Sequence, residues 1–406
     1  MNPRSPEFLS VLRTQLRGLR SDGRGKILLA IAGGWFLSMG VRMIYPVLLP
    51  YLREAYDLGL TASGLLLTVL FLAYALGQLP GGMLADRFGE RLILAGSMVA
   101  SAVTIALVIT AGSTVVLFVA TAMFGFGTAL YAVARYTILP GLYPEQLGAA
   151  NGLTAASQDG GQSVLPPIAG AIAAAGLWQL GFGFVIPLFL LVGVVLWWVT
   201  PATKDEPDED DDGFSLQGVR ELLAVLRQRS IVFPAGVFLF GLSIWQAFTS
   251  FYPTYLIEVK GLSTTVASVL FGLFFALGIL IKPLSGGAFD RVGVRRSLVV
   301  IATGPILAFV ALPFVDSLAG LVVVTILAST VLGQATVTEP FLLRTLPDEV
   351  RGTGFGVLRT VSFLIASLSP VAFGAAADFD FFDEAFLFLA VLGGGMILLT
   401  VSIPED

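Results

Sequence analysis

The chain has 406 residues, 56% hydrophobic and 13% charged, with a formal net charge of −5. A soluble protein of this length carries roughly twice that charge fraction, so the composition excludes a water-soluble globular protein and places most of the chain in lipid. The absence of cysteine and histidine excludes disulfides, thiolate or imidazole metal sites and histidine proton carriers; proton chemistry falls to carboxylates, with Tyr or Lys as the remaining groups.

The first 26 residues, "MNPRSPEFLSVLRTQLRGLRSDGRGK", are too long and too polar before the first apolar run for a cleavable signal peptide. Arg13, Arg17, Arg20 and Arg24 make the segment cytosolic, either as an amphipathic helix on anionic lipid or as a solvated tail. Twelve apolar runs follow, each near the roughly 20 residues that cross a bilayer: 27–52, 61–84, 92–111, 114–138, 149–174, 181–199, 231–256, 264–288, 297–315, 318–341, 353–376 and 383–402. The acidic block "KDEPDEDDDG", Lys204 to Gly213, reads as a solvated linker and divides the runs six and six. The domains expected are a cytoplasmic segment 1–26, a six-helix bundle 27–200, an acidic linker 201–229 and a second six-helix bundle 230–406. Lys and Arg crowd the segments that lie inside if the N-terminus is inside, while the other side holds little more than Arg53 and Lys260. Both termini and the linker are therefore expected in the cytoplasm, and the protein in the cell membrane.

Between spans 2 and 3 stands "GGMLADRFGERL". A shift of 204 residues carries Gly82, Asp86, Arg87, Gly89 and Arg91 onto Gly286, Asp290, Arg291, Gly293 and Arg295, between spans 8 and 9. The same register carries Tyr51 onto Tyr255, Glu54 onto Glu258, Pro166 onto Pro370 and Gly170 onto Gly374. Two similar halves that both begin inside are parallel repeats, related by an axis along the membrane normal. This doubled G-x-x-x-D-R-x-G-x-R signature, with six spans on each side of a long central loop, resembles the major facilitator superfamily over nearly the whole chain. The resemblance implies an all-α integral membrane fold of two six-helix bundles and transport by alternating access. It also implies that the signature residues latch the halves on the cytoplasmic side. Arg135, which falls on Glu339 under the same shift, joins this gate as part of a charge network near Arg344 and Glu145.

Ionisable groups at mid-membrane are expensive and so mark function. Arg42 lies on the order of 22 Å into span 1, with Tyr45 three residues on. Its fork of donors suits a carboxylate or phosphate. An Arg eight residues before a span 1 proline, here Pro50, resembles the organic-anion branches of the superfamily. The repeat partner of Arg42 is Gln246, so a paired phosphate clamp does not follow. Asp159 in span 5 and Glu339 in span 10 are the acids expected to couple transport to a proton or other ion. Lys282 and Arg359 either add positive potential to the cavity or snorkel to the interface. Tyr74, Gln78, Tyr131, Trp245, Gln246 and Gln334 complete the expected substrate-binding set, because polar groups in apolar helices want partners.

Helix 5 carries "LPPIAG", which resembles the span 5 motif of drug/proton antiporters with Leu165 in place of a glycine, and "TAMFGFG" lacks their span 4 arginine. Both departures disfavour that branch. The functional expectation is a secondary transporter of a small organic anion, with efflux of amphipathic compounds as the alternative and a non-transporting receptor as the third reading. No nucleophile–base pair or metal-ligand cluster points to an enzyme, no cofactor is expected, and the basic residues follow membrane topology rather than a nucleic-acid footprint. The expected partners are a small solute, a coupling ion and the bilayer, with the chain acting as a monomer.

Overall fold

The structure is a computed structural model that describes residues 24–201 and 225–404. The basic segment before Arg24 and the acidic block of the linker lie outside the described residues. Among the described residues every regular element is a helix. Ten stretches are long and apolar enough to cross a membrane. One of them, Thr264–Phe314, contains a bend at Gly293 and so supplies two helices. A further 28-residue helix, Leu147–Ala174, completes the expected twelve. Its polar residues, Asn151, Gln158, Asp159 and Gln162, make it less apolar than the others.

In chain order α1 is Arg24–Arg42 continued as Ile44–Tyr56, α2 is Leu60–Phe88, α3 is Glu90–Ile109 and α4 is Thr114–Leu142. Then α5 is Leu147–Ala174, and α6 is Trp178–Gly183 continued as Ile186–Val199. In the second half α7 is Arg229–Glu258, and the continuous helix Thr264–Ala311 is α8 before Gly293 and α9 after it. Next, α10 runs Leu318–Ser329, a tight turn Thr330–Gly333, then Gln334–Thr345. Finally α11 is Arg351–Ala366 continued as Ser369–Asp378, and α12 is Phe382–Val401.

The 204-residue register runs through the helix boundaries themselves. Leu60 and Thr264 open α2 and α8, Leu147 and Arg351 open α5 and α11, and Ala174 and Asp378 close the latter pair. Ser113 caps α4 by accepting from the Val116 N–H, and its twin Ser317 caps α10 by accepting from Gly320. Gly89 and Gly293 have φ of 80° and 82°, a left-handed turn that a Cβ would strain. That fixes the glycine of each signature.

Besides α10, three helices are interrupted, α1, α6 and α11, and a proline sits at the same offset in each of these. The first pieces end at Arg42, Gly183 and Ala366, and the prolines are Pro46, Pro187 and Pro370, four residues on. A proline has no N–H for the carbonyl four residues back, and its ring crowds that carbonyl. Other prolines, such as Pro140 in α4, are passed without a break.

By contact the chain forms two compact units. The first gathers α1 up to Arg42, Ala73–Leu165 and α6 from Phe182. The second gathers Met43–Leu72, Pro166–Gly181 and the C-terminal half. Within the first unit α1 and α5 touch backbone to backbone: a Cβ on Gly161 would meet the Phe36 carbonyl, and one on Gly40 would meet Gly161. Small residues replace hydrophobic burial as the means of close helix approach in lipid.

Within the second unit the core is aromatic: Phe248, Phe251, Phe373, Phe382 and Phe386 lie in edge-to-face and stacked pairs. At the helix ends away from the signature, α1 and α2 are tied into this unit. Tyr51 bonds Thr264 at 2.9 Å and Arg53 pairs with Glu258. The Asp378 carboxylate, from the end of α11, accepts from the N–H groups of Leu60 and Thr61 at 2.7 Å each and from the Thr61 hydroxyl. It satisfies the orphan donors of the α2 N-terminus, where Gly59 offers no side chain. Gly374 packs on the Leu60 carbonyl, and its twin Gly170 packs on the Ser268 hydroxyl of α8.

Candidate functional site

The first unit holds a buried cationic region along α1. Trp35, Met39 and Arg42 recur at helical spacing and share one face. Arg42 is 4% exposed, its guanidinium 4.0 Å above the Tyr74 ring of α2 and in contact with the Met39 sulfur at 3.5 Å. It is the last residue of its helical piece, where the negative end of the helix dipole favours a cation. Gln78 stands one turn beyond Tyr74 and is half-buried, and Tyr45, fully buried, lies beyond the break in the second unit. Two turns from Arg42, Trp35 donates to Gln158 at 3.2 Å, stacks on Tyr131 and lies 4.5 Å from the Arg135 guanidinium. Arg135 is 2% exposed, donates to Thr154 at 2.6 Å and also covers Tyr136 at 3.9 Å. Asp159, next to Gln158 on α5, is 3% exposed.

Two expected members of this region have other work. The Tyr131 hydroxyl donates to the Ile31 carbonyl at 2.7 Å, so it ties α4 to α1. Arg135, expected in a charge network near the cytoplasmic side, is enclosed by the Trp35 and Tyr136 rings inside the first unit. Four residues were missed by sequence reasoning: Trp35, Pro46, Thr154 and Gln158. Trp35 was legible, since it lies seven residues from Arg42 and therefore on the same helix face.

The second unit holds a separate polar group. Glu339 of α10 faces Arg359 of α11 at 3.8 Å, and Lys282 of α8 acts on the same carboxylate electrostatically. Both members of the ion pair are half-buried. Arg344, expected in a network with Glu339, lies instead over the Phe289 ring at 5.3 Å. Gln246 is 1% exposed and its amide oxygen is buried with no hydrogen-bond partner. Trp245 packs on Phe71 at 6.1 Å. Gln334 donates to the Val237 carbonyl at 3.3 Å and to Thr338 at 3.0 Å, which makes it a tie between α10 and α7. It follows directly on the tight turn Thr330–Gly333, where Gly333 approaches Ser285 of α8 too closely for a Cβ.

These two buried polar groups sit in register-related halves of an all-helical membrane chain. The family model described as Major Facilitator Superfamily matches residues 30–370. The chain belongs to the major facilitator superfamily. A probable sulfoacetate transporter, SauU of Cupriavidus necator, is 26% identical over 92% of this chain and 94% of its own length. A hexuronate transporter of Bacillus subtilis is 27% identical over 59% of this chain, and the match spans 58% of that protein. Among solved structures, a mutant of the nucleoside transporter NupG shares the fold with a TM-score of 0.81, covering 93% of this chain and 100% of that one at 12% identity. As a multi-pass member of this superfamily the chain is a membrane transporter, not an enzyme.

The superfamily signature has a local role in each half. Arg295, at the start of α9, donates through Nε at 2.8 Å and through its terminal nitrogen to the Ile403 carbonyl beyond α12. Its twin Arg91, at the start of α3, lies 4.4 Å from the Trp197 ring near the end of α6. Arg87 lies over Phe88 at 5.4 Å. Gly286 leaves room for Thr336 of α10, and Gly82 for Val133 of α4. Asp86, Asp290 and Arg291 stand with these residues at the ends of α2 and α8.

Proposed function

We propose that this transporter carries a small organic anion by alternating access, coupled to protons or another cation, with both termini in the cytoplasm of a cell-membrane protein. The observation that carries the reading is the Arg42 guanidinium, buried at an interruption of α1 beside Tyr74. A cation buried at a half-helix end is expensive in a membrane and so marks a functional group, and its fork of donors suits a carboxylate. The names of the hexuronate and sulfoacetate transporters denote organic anions, which supports the same class. The substrate groups are Arg42, Tyr45, Tyr74, Gln78, Trp245 and Gln246, and the signature residues form the cytoplasmic gate. Glu339, held between Arg359 and Lys282, and Asp159 are the coupling acids.

The test is ligand stabilisation of the purified full chain by glucuronate, sulfoacetate, glucose and tetraphenylphosphonium. Saturating ligand at 100 times its Kd adds about 2.7 kcal/mol of stability. Glucuronate or sulfoacetate is expected to raise Tm while glucose does not. Stabilisation by tetraphenylphosphonium alone would replace the anion with an amphipathic cation. In proteoliposomes, Glu339→Gln or Asp159→Asn is expected to keep substrate exchange and lose accumulation driven by a pH gradient. If both variants still accumulate substrate on a pH jump, neither acid couples.

A further inference from the structure

The two arginines that close the signature repeats are twins by register and differ in what holds them. Arg295 spends its guanidinium on the Ile403 carbonyl. Arg91 lies against the Trp197 ring, and its Nε is buried with no hydrogen-bond partner. The rest of the Arg91 guanidinium is half-buried at the end of an apolar helix, where its terminal N–H groups suit an acceptor from outside the protein.

Beside it the first unit carries a groove of about 710 Å³ between α3, α6 and Met123 of α4. Its floor is small residues, Gly96, Ala100 and Gly193, and its rim at the Arg91 end is Trp197 and Trp198. A Cβ on Gly96 would meet nothing within 4 Å, so the floor is open space. Thr104, at the far end of the groove, is polar, but its hydroxyl donates to the Ala100 carbonyl at 2.9 Å. The groove therefore offers hydrocarbon along its length and a charge at one end. From Leu92 to Thr104 it follows α3 for roughly 18 Å at 1.5 Å per residue. One leaflet of hydrocarbon is about 15 Å deep. Trp197 and Trp198 are 45% and 80% exposed, as rings at a headgroup boundary are.

We propose that this groove binds one anionic phospholipid, with an acyl chain along α3 and the phosphate on Arg91 beside Trp197. The phosphate meets the outward edge of the half-buried Arg91 guanidinium, and the α3 N-terminus adds its positive dipole end. Glu90, the neighbouring acid, stands one residue away and about 100° round the helix. The net negative charge of phosphatidylglycerol, whose phosphate has no ammonium beside it, unlike that of the zwitterionic phosphatidylcholine, sets the selectivity.

Native mass spectrometry of the full chain in detergent with equimolar dioleoyl phosphatidylglycerol and dioleoyl phosphatidylcholine tests this. Wild type is expected to retain one phosphatidylglycerol with a preference of about tenfold, the ratio of one charged contact of about 1.4 kcal/mol. Arg91→Gln is expected to lose the preference, Arg91→Lys to keep most of it, and Arg295→Gln to leave it unchanged. Gly96→Leu fills the floor where space is open and is expected to lose retention of both lipids while eluting as a folded chain on size exclusion. Equal retention of the two lipids by wild type overturns the proposal. So does wild-type preference in Arg91→Gln, which folds independently of the Gly96 result. A wild-type dimer that Gly96→Leu turns into monomer would assign the groove to a second copy of the chain and overturn it as well.

Discussion

In α1 and α7 the same register position carries opposite solutions to one problem. In α1 Pro46 withholds an N–H from the carbonyl of Arg42, and the helix ends there before resuming at Ile44. In α7 the twin of Pro46 is Ser250, and α7 runs unbroken from Arg229 to Glu258. The Ser250 hydroxyl even adds a bond to the Gln246 carbonyl at 2.6 Å, the carbonyl equivalent to the one Pro46 strands. The half with the interruption carries the cation, and the half with the mended helix carries the neutral amide. A break in a helix exposes backbone dipoles and permits movement, so under the proposed function the pair Arg42–Pro46 is where the two halves differ most.

The largest effect expected from breaking this comparison is at Arg42. Arg42→Gln, which copies the Gln246 side chain onto α1, removes a charge-assisted contact of about 3 kcal/mol from substrate binding. Uptake at low substrate is expected to fall by about 100-fold. Gln246→Ala in the same vesicle assay is expected to cost less than tenfold, since a neutral amide contributes about 1 kcal/mol. Equal losses in the two variants would show that the halves share the substrate evenly. Wild-type uptake in Arg42→Gln would remove Arg42 from the site.

A middle-sized effect is expected from Pro46→Ser, which copies the α7 solution onto α1. Restoring one helical hydrogen bond and removing the ring clash stabilises the helix by up to about 3 kcal/mol. The variant is expected to melt several degrees higher and to transport more slowly, because a hinge has been stiffened. Higher Tm with unchanged turnover would make the interruption a tolerated defect. An unchanged Tm would mean that the packing around Met43 enforces the break without the proline.

The register was legible in the sequence because it rests on residues with few substitutes, such as the glycines at 89 and 293 that need positive φ. Spacing alone also singled out Arg42, which is buried. The interruption at Met43 was legible too, from Pro46 and the rule that places the break four residues before it, yet Pro50 drew attention as the span 1 proline. The partners of buried groups were not legible. Arg359 finds Glu339 from another helix, and Arg135 finds Trp35 and Thr154, because helix rotation decides these meetings and a periodic apolar pattern leaves rotation open in helices that are apolar all round. Asp378 was invisible for a related reason. It serves a helix 318 residues away in sequence, and the only local trace is a missing cap.

That missing cap gives the smallest expected effect. Ser263 caps α8 by accepting from the Val266 N–H, whereas its twin at the start of α2 is Gly59, and α2 borrows the Asp378 carboxylate from α11. An N-cap is worth about 1 kcal/mol, so Asp378→Ala is expected to shift the balance between closed and open far ends of these helices by about fivefold. The chain has no cysteine, so a single cysteine placed at Ser268, packed against Gly170 in the closed arrangement, reports opening by its rate of labelling with a water-soluble maleimide. Asp378→Ala is expected to raise that rate about fivefold. In a Gly59→Ser background, where α2 carries its own cap as α8 does, helix stability should no longer depend on Asp378, but the tie between α11 and α2 is already gone. The labelling rate should then be high whether or not Asp378 is present. A rate that falls on adding Gly59→Ser would mean that the serine packs against Asp378 and strengthens the closure. A rate that stays at the wild-type level in Asp378→Ala would leave the Arg53–Glu258 and Tyr51–Thr264 contacts as sufficient to hold the end shut.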